Sequence, residues 1–230
     1  MSIRLIAENA IMIHFNEEIS VALLEKILIV KKVIEKNLQS SITEIVIGYN
    51  SLVIYFDPIT THPYNLLEKL KKMRYPDELL LFSPSTHHIP VCYEESFNKD
   101  LSFVATYHNI TMEEVVHLHT SNQYTVHFLG FSPGFPFLGG IDDRIATPRK
   151  GIPDISVPEG SVGIAGSQTG IYPSMSPGGW QIIGRTPIPL VNVDEEKPTL
   201  FQPGDNVHFY PITSKEFEDI RKRLITYEDN

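Results

Sequence analysis

Glycine and proline are concentrated in one part of this chain. All of its 14 glycines except Gly48, and 11 of its 17 prolines, lie between Gly130 and Gly204. Glycine permits positive φ and close backbone approach, and proline fixes φ. From Tyr124 onward these residues alternate with short β segments, which is typical of a β-barrel or sandwich. We therefore expect a surface shaped mainly by backbone, and we expect the functional site to lie on it.

The N-terminal part of the chain has a different pattern. Apolar periodicity predicts the order β-β-α-β-β-α, with strands at 3–6, 10–15, 42–47 and 52–56 and helices at 17–38 and 63–74. This order predicts a small α+β domain of the ferredoxin-like kind, with its helices on one face of an antiparallel sheet. The pattern breaks at Ser83-Pro-Ser-Thr86. The sequence thus predicts an α+β chain with domains at 1–86 and 87–230.

The second domain begins with a strand at 89–93 and a short helix at 100–107. Thr111 and Glu114 then have the spacing of a capping box, in which Thr111 caps the helix that runs to about residue 120. A final helix is predicted at 219–225.

Charge and cysteine content exclude several classes of partner. The formal net charge is −9 and the pI is about 5.4, which argues against binding to nucleic acid or to an anionic membrane surface. The single cysteine, Cys92, cannot form an internal disulfide, as expected in a reducing compartment. The N-terminus shows no basic-then-apolar signal. We expect a cytoplasmic protein.

Gly130-Phe-Ser-Pro-Gly134 matches the G-x-S-x-G pattern of a nucleophile elbow. In that motif the residue after the serine donates its backbone N–H to the oxyanion. Here that residue is Pro133, which has no N–H. We interpret Ser132 as a turn residue.

The standard phosphate-binding motifs are missing from the sequence. It contains no G-x-x-x-x-G-K-[ST], and the spacing of Gly160, Gly163 and Gly166 is not G-x-G-x-x-G. We expect this chain alone not to hold a nucleotide in either standard way. A site completed by a partner stays open.

Nine histidines invite a metal hypothesis, but their spacing does not support one. His117 and His119 diverge on a helix, and His87 and His88 face opposite sides of a strand. Neither H-E-x-x-H nor C-x-x-C is present. We expect no metal site, and we favour a capping or hydrogen-bonding role for His119 over a catalytic one.

The polar residues within the Gly/Pro region are more informative: Arg149, Gln168, Tyr172, Gln181 and Arg185. Arg149 and Arg185 could each clamp a carboxylate or phosphate in bidentate fashion. The alternative is that they tie loops together through carbonyl oxygens, and the sequence supports both hypotheses equally.

Trp180 follows two glycines and is most simply a cap on the core of the barrel. An exposed Trp180 beside Phe135 and Phe137 would instead indicate a docking surface.

Several long motifs occur together and in order: Ile89-Pro-Val-Cys-Tyr93, His119-Thr120 with Tyr124, Gly130 to Gly140, Pro148-Arg149, Val157-Pro158, Gly160 to Gly166, Gln168 to Pro173, Pro177-Gly-Gly-Trp-Gln181 and Pro203-Gly-Asp205. On these motifs the chain resembles the 5-oxoprolinase B-subunit family, also described as allophanate hydrolase subunit 1, which includes the Kip inhibitor of a sporulation histidine kinase. The resemblance runs through nearly the whole chain. Ser132 is a departure, because many relatives have alanine there, and this also argues against a nucleophile.

The resemblance implies a small α+β domain followed by a cyclophilin-like β-barrel. It also implies a protein that is inactive without its partners. The B subunit pairs with a larger C subunit, and with an A subunit the assembly hydrolyses 5-oxoproline to glutamate with ATP, which the complex uses and this chain alone does not bind. Homologous segments occur in urea carboxylases.

No catalytic residue is assigned from the sequence. The candidates for a shared substrate or partner site are His119, Tyr124, Pro133, Phe135, Phe137, Arg149, Gln168, Tyr172, Gly178, Gly179, Trp180 and Arg185.

The same motifs and resemblance suggest two other functions. The alternative is a Kip-type inhibitor of a sensor histidine kinase, which rests on the resemblance and on an apolar patch at 135–137. A prolyl isomerase would rest on the barrel alone, and a fold does not carry its function with it.

Overall fold

The computed structural model describes residues 1–76 and 83–228, with side chains to residue 224. The chain divides after Ser83 into two compact units, Met1–Ser83 and Pro84–Asn230. None of the helices in the described ranges is both long and apolar enough to cross a membrane.

The first unit contains four strands and two helices: β1 (Ser2–Ala7), β2 (Ala10–His14), α1 (Val21–Leu38), β3 (Glu44–Ile47), β4 (Ser51–Tyr55) and α2 (Pro63–Lys72). The strands form one antiparallel sheet in the order β1-β2-β4-β3. Because β4 lies between β2 and β3, the segment β2-α1-β3 is a split βαβ unit, as in ferredoxin-like folds. The edge strand β1 comes first in the chain, where the ferredoxin-like order places it last.

Alternation along the central strands produces the core of this unit. Ile13 and Leu52 are fully buried, as are Ile27 and Ile34 on the apolar face of α1. The Ser20 side chain caps α1 by accepting a hydrogen bond from the backbone N–H of Leu23 at 3.2 Å. The apolar periodicity of the strands and that of the helix, both visible in the sequence, therefore direct apolar side chains into one shared core.

The second unit contains the remaining strands: β5 (Thr86–Cys92), β6 (Gln123–Leu129), β7 (Pro136–Gly139), β8 (Asp154–Val157), β9 (Ser161–Ala165), β10 (Gln168–Ile171), β11 (Ser176–Gly178), β12 (Gln181–Arg185) and β13 (Asn206–Ile212). Its helices are α3 (Leu101–His108), α4 (Met112–Ser121) and α5 (Ser214–Glu228). Seven strands close into a barrel in the order β10-β7-β6-β13-β5-β12-β9, and β8 pairs with β11 outside it. Within the barrel β13 and β5 are parallel, while the other pairs are antiparallel.

The structure confirms the predicted fold class, α+β with a ferredoxin-like unit before a cyclophilin-like barrel. It also confirms the capping box, since Thr111 Oγ1 accepts the backbone N–H of Glu114 at 3.1 Å. The final helix is longer than predicted, because it begins at Ser214 with a cap in which Glu216 accepts from Thr213.

The Pro203-Gly-Asp205 motif has a structural role. The Asp205 carboxylate accepts the backbone N–H groups of Ser85 and Gln202 at 3.0 and 2.9 Å, and contacts His87 Nε2 at 3.0 Å. It fixes the start of β5 against β13. In the described parts of the chain, no group of three His, Cys, Asp or Glu side chains is arranged to hold a metal ion.

Candidate functional site

A second apolar cluster lies beside the main core of the barrel. We call Phe135, Phe137, Tyr172 and Trp180 the aromatic cluster. Phe135 meets Tyr172 and Trp180 edge-on, with ring centroids 5.2 and 5.3 Å apart. Edge-to-face pairs of this kind add about 0.5–1.5 kcal/mol beyond area burial. Trp180 is only 5% exposed. It therefore caps the core, which is the simpler of the two interpretations given above, and does not form an exposed docking surface.

Two glycines let the aromatic rings lie directly against backbone. A Cβ on Gly178 would overlap the Tyr172 hydroxyl, and one on Gly170 would come within 2.9 Å of the Phe135 ring. Burial raises the pKa of Tyr172, although a hydrogen bond from the Trp180 backbone and the charge of Arg149 act in the opposite direction. Tyr172 is therefore a neutral packing residue near pH 7.

Gly178→Ala should destabilise the protein by about 1–3 kcal/mol, because the new methyl group displaces a buried ring. Gly151→Ala is a matched control in the same region, since a Cβ at Gly151 meets no atom within 4 Å. Thermal unfolding of both variants checks this. A Gly178→Ala midpoint as high as that of Gly151→Ala would contradict the close contact.

Arg149 is exposed and lies over the indole of Trp180, with Cζ 5.8 Å from the ring centroid. The loop that carries it is held from both sides: Gln181 Nε2 donates to the Pro148 carbonyl at 2.9 Å, and Lys150 N donates to the Gly179 carbonyl at 2.8 Å. The guanidinium itself has no acceptor among residues 1–76 and 83–228. The loop is thus tied by other residues, and Arg149 presents its hydrogen-bond donors to solvent.

Arg185 has a different environment. Its Nε donates to the Glu159 carbonyl at 2.6 Å, and its guanidinium lies over Phe217 at 5.9 Å. Burial, the largest cause, lowers the pKa of Arg185. These contacts match the loop-tying alternative, and they lie outside the aromatic cluster.

His119 and Tyr124 lie in the main barrel core, fully buried. Thr169 Oγ1 donates to the Gly163 carbonyl at 2.9 Å, so it accepts from His119 Nε2 at 3.0 Å. His119 Nδ1 then accepts from the Tyr93 hydroxyl at 2.8 Å. Burial lowers the pKa of His119 to about 3. This histidine is a neutral hydrogen-bonding residue of the core.

The Tyr124 hydroxyl donates to the His119 carbonyl at 2.8 Å, which closes the same network. The structure therefore separates this pair from the aromatic cluster, although the sequence had suggested one common site.

The remaining predicted residues lie on the turns and strands near the aromatic residues in the chain. Pro133 is exposed, Gln168 is half-buried at the start of β10, and Gly179 accepts the hydrogen bond from Lys150. The Ser132 hydroxyl is buried and has no hydrogen-bond partner in the described residues. No base in those residues is in place to activate Ser132, in line with its interpretation as a turn residue.

Phe131 is a site residue that the sequence did not reveal. Its φ is +66°, which is unusual for a bulky residue, and its ring is 67% exposed. The ring meets Phe135 and Tyr172 edge-on at 5.6 and 6.5 Å. Strained backbone of this kind concentrates at functional sites. Nothing in the sequence signals it, because glycine is the usual residue at positive φ.

The apolar patch expected on the surface at 135–137 is largely buried. Phe135 and Pro136 are buried and Phe137 is half-buried. The Phe135 ring packs against the rings of Phe131 and Phe137. The large exposed apolar side chains of this region are instead Phe131, Ile152, Ile155 and Met175, which we call the apolar rim.

Comparison with known proteins places the chain in a class. The family model "Carboxyltransferase domain, subdomain C and D" matches residues 1–201. The 5-oxoprolinase B subunit of Bacillus subtilis (strain 168) is 38% identical over 92% of this chain and 93% of its own length. The protein of the same name from Escherichia coli O157:H7 is 35% identical over 90% of this chain and 94% of its own. The chain belongs to the 5-oxoprolinase B-subunit family.

Solved structures share the fold of this chain. TTHA0988 is 32% identical and superposes with a TM-score of 0.78 over 93% of this chain, which spans 41% of that longer protein. PH0987 from Pyrococcus horikoshii is 39% identical, with a TM-score of 0.56 over 94% of this chain and all of that one. The urea amidolyase of K. lactis has the same fold, with a TM-score of 0.78 at 24% identity.

Proposed function

We propose that this chain is the B subunit of an ATP-dependent 5-oxoprolinase that hydrolyses 5-oxo-L-proline to L-glutamate together with A and C subunits. Relatives that carry the B-subunit name match nearly its whole length. The structural observation that carries the proposal is the Arg149 guanidinium, which lies over Trp180 and has no acceptor within the part of the chain that the structure describes. We place this chain's share of the substrate site there.

The substrate has one feature that suits this arrangement. 5-Oxoproline carries a carboxylate on a five-membered lactam ring, and a guanidinium binds a carboxylate through two parallel hydrogen bonds. The contact with Trp180 restrains the Arg149 side chain before the substrate arrives, so less side-chain entropy is lost on binding. The exposed ring of Phe131 offers an apolar surface for the lactam ring.

This surface is suited to binding more than to bond breaking. Ser132 has no activating partner in the described residues, and burial keeps Tyr172 neutral. Two carboxylates neutralise Lys150, the residue after Arg149, so this lysine is not free to bind a triphosphate. We propose that ATP is bound elsewhere in the complex and that ATP-driven activation of the lactam makes its hydrolysis favourable. In the net reaction, one water opens the ring and a second is consumed with ATP.

The apolar rim supports assembly with a partner. Ile152, Ile155 and Met175 lie in the segments around β8 and β11, next along the chain to Arg149 and Trp180. Exposed apolar patches, especially those bordered by polar residues, mark protein–protein contact surfaces. We assign Ile152, Ile155 and Met175 of this rim to the contact with the C subunit, so that the partner completes the site.

Reconstitution tests the proposal. Purified A and C subunits should release glutamate from 5-oxoproline and ATP only when this chain is present, and this chain alone should release none. Equal glutamate release without it would overturn the proposed function.

Inhibition of a sensor histidine kinase is not proposed. The patch at 135–137 that motivated it is largely buried, and the B-subunit relatives named above are enzyme components.

A further inference from the structure

An ion network lies directly behind the Arg149 loop. Lys150 Nζ is 2.6 Å from Asp100 Oδ2 and 2.5 Å from Asp154 Oδ2. The three side chains are 13–19% exposed. Lys99 contacts the other oxygen of Asp154 at 2.6 Å, but its own side chain is 62% exposed.

The two carboxylates come from separate parts of the barrel unit. Asp100 precedes α3 and is joined to β12 twice: its Oδ2 accepts the Ile182 N–H at 2.7 Å, and its N–H donates to the Ile182 carbonyl at 2.8 Å. Asp154 begins β8. Lys150 therefore fixes its own backbone to α3, β12 and β8 at once.

The backbone of Lys150 is also the link to the proposed substrate site. Its N–H donates to the carbonyl of Gly179, the residue before Trp180, and Arg149 is the residue before Lys150. The side chain of Lys150 is held on one side of the loop, while Arg149 lies on Trp180. A half-buried ion pair with two partners is stiff, and breaking it leaves charges unpaired.

We propose that the Asp100–Lys150–Asp154 network positions Arg149 over Trp180 for the substrate carboxylate, which makes Lys150 a positioning residue of the site. The inference rests on the function proposed above for Arg149. The network acts through the loop, without touching the substrate itself.

The test compares Lys150→Met with Lys99→Met, which removes the exposed cation of the same network and leaves the loop alone. Trp180 is the only tryptophan in the chain, so its emission and its quenching by acrylamide report whether Arg149 still covers it. Arg149→Ala is the reference for an uncovered indole. The assembled complex supplies the KM and kcat for 5-oxoproline.

Lys150→Met should raise the KM about tenfold, which corresponds to the loss of one good hydrogen bond to the substrate. Its kcat should stay within about twofold of the wild-type value. Its Trp180 emission and quenching should move to those of Arg149→Ala, while Lys99→Met matches the wild type. Lys150→Arg, which keeps the charge, should restore most of both readouts. A merely structural Lys150 would lower the unfolding midpoint without changing Trp180 in the folded protein.

Folded Lys150→Met with wild-type Trp180 quenching and KM would overturn the proposal, as would an equal effect of Lys99→Met. If Lys150→Met does not fold, Asp154→Asn takes its place, with the same readouts and the same direction. A wild-type complex without 5-oxoprolinase activity would refute the proposed function instead, and the Trp180 measurements would still decide the positioning.

Discussion

Arg149→Ala should lower kcat/KM for 5-oxoproline in the assembled complex by about 10- to 100-fold. This loss corresponds to the free energy of about 1.5–3 kcal/mol that a charge-assisted pair of hydrogen bonds contributes. Stability should change by less than about 1 kcal/mol, because the side chain is exposed and its interactions are a cation–π contact with Trp180 and a charge interaction with Tyr172, which is neutral near pH 7. Steady-state kinetics and thermal unfolding on the same preparation check both parts.

Arg185→Ala is the matched control, since both arginines stand in the Gly/Pro region and only one lies on the aromatic cluster. Loss of its bond to the Glu159 carbonyl should cost about 0.5–3 kcal/mol of stability. The folded variant should keep near-normal kinetics. A reversal, with Arg185→Ala inactive but stable and Arg149→Ala active, would show that the two arginines have been assigned to the wrong roles.

Acidification from pH 7 to pH 5 should cost the folded protein about 2 kcal/mol through His119 alone. The pKa of His119 is lowered to about 3 in the folded state, against about 6.5 when unfolded. The unfolded state therefore binds the proton first, and stability is lost as pH falls from about 6.5 toward 3. Burial also lowers the pKa of His127, which adds to the loss in the same direction.

Denaturant unfolding at a series of pH values measures this slope. His119→Gln removes the titrating group, so the slope between pH 7 and 5 should become shallower even though the variant is less stable. His117→Gln, at an exposed turn of α4, is the control for replacing a histidine on the surface. A wild-type stability that is flat over this interval would contradict a neutral, buried His119.

Local rules allowed the elements of the first unit, and the first strand and first two helices of the second, to be predicted from the sequence, while the strands after Tyr124 were expected only as short β segments. Apolar periodicity located α1 and α2, and the capping box located the start of α4. The closure of the barrel was expected only from the family resemblance, because no local pattern in the sequence indicates it. It depends on the parallel pairing of β13 with β5, about 120 residues apart in the chain (Asn206 opposite Thr86), and such long-range pairing leaves no local pattern.

The candidate site was predictable in composition but not in arrangement. The sequence pointed to Arg149, Tyr172 and Trp180, yet could not distinguish Arg149 from Arg185, because only the fold decides which arginine meets a carbonyl group. It grouped His119 with the site, although that side chain points into the barrel core. Phe131 was missed because its positive φ is imposed by the turn around it.

Whether Arg149 binds the substrate carboxylate can be decided with a lactam that lacks this group. Binding of 5-oxoproline and of 2-pyrrolidinone should be measured by inhibition or calorimetry, with complexes that contain the wild-type chain or Arg149→Ala. We expect Arg149→Ala to weaken 5-oxoproline about 10- to 100-fold and to change 2-pyrrolidinone by less than about twofold. Equal weakening of both ligands would show that Arg149 does not bind the carboxylate.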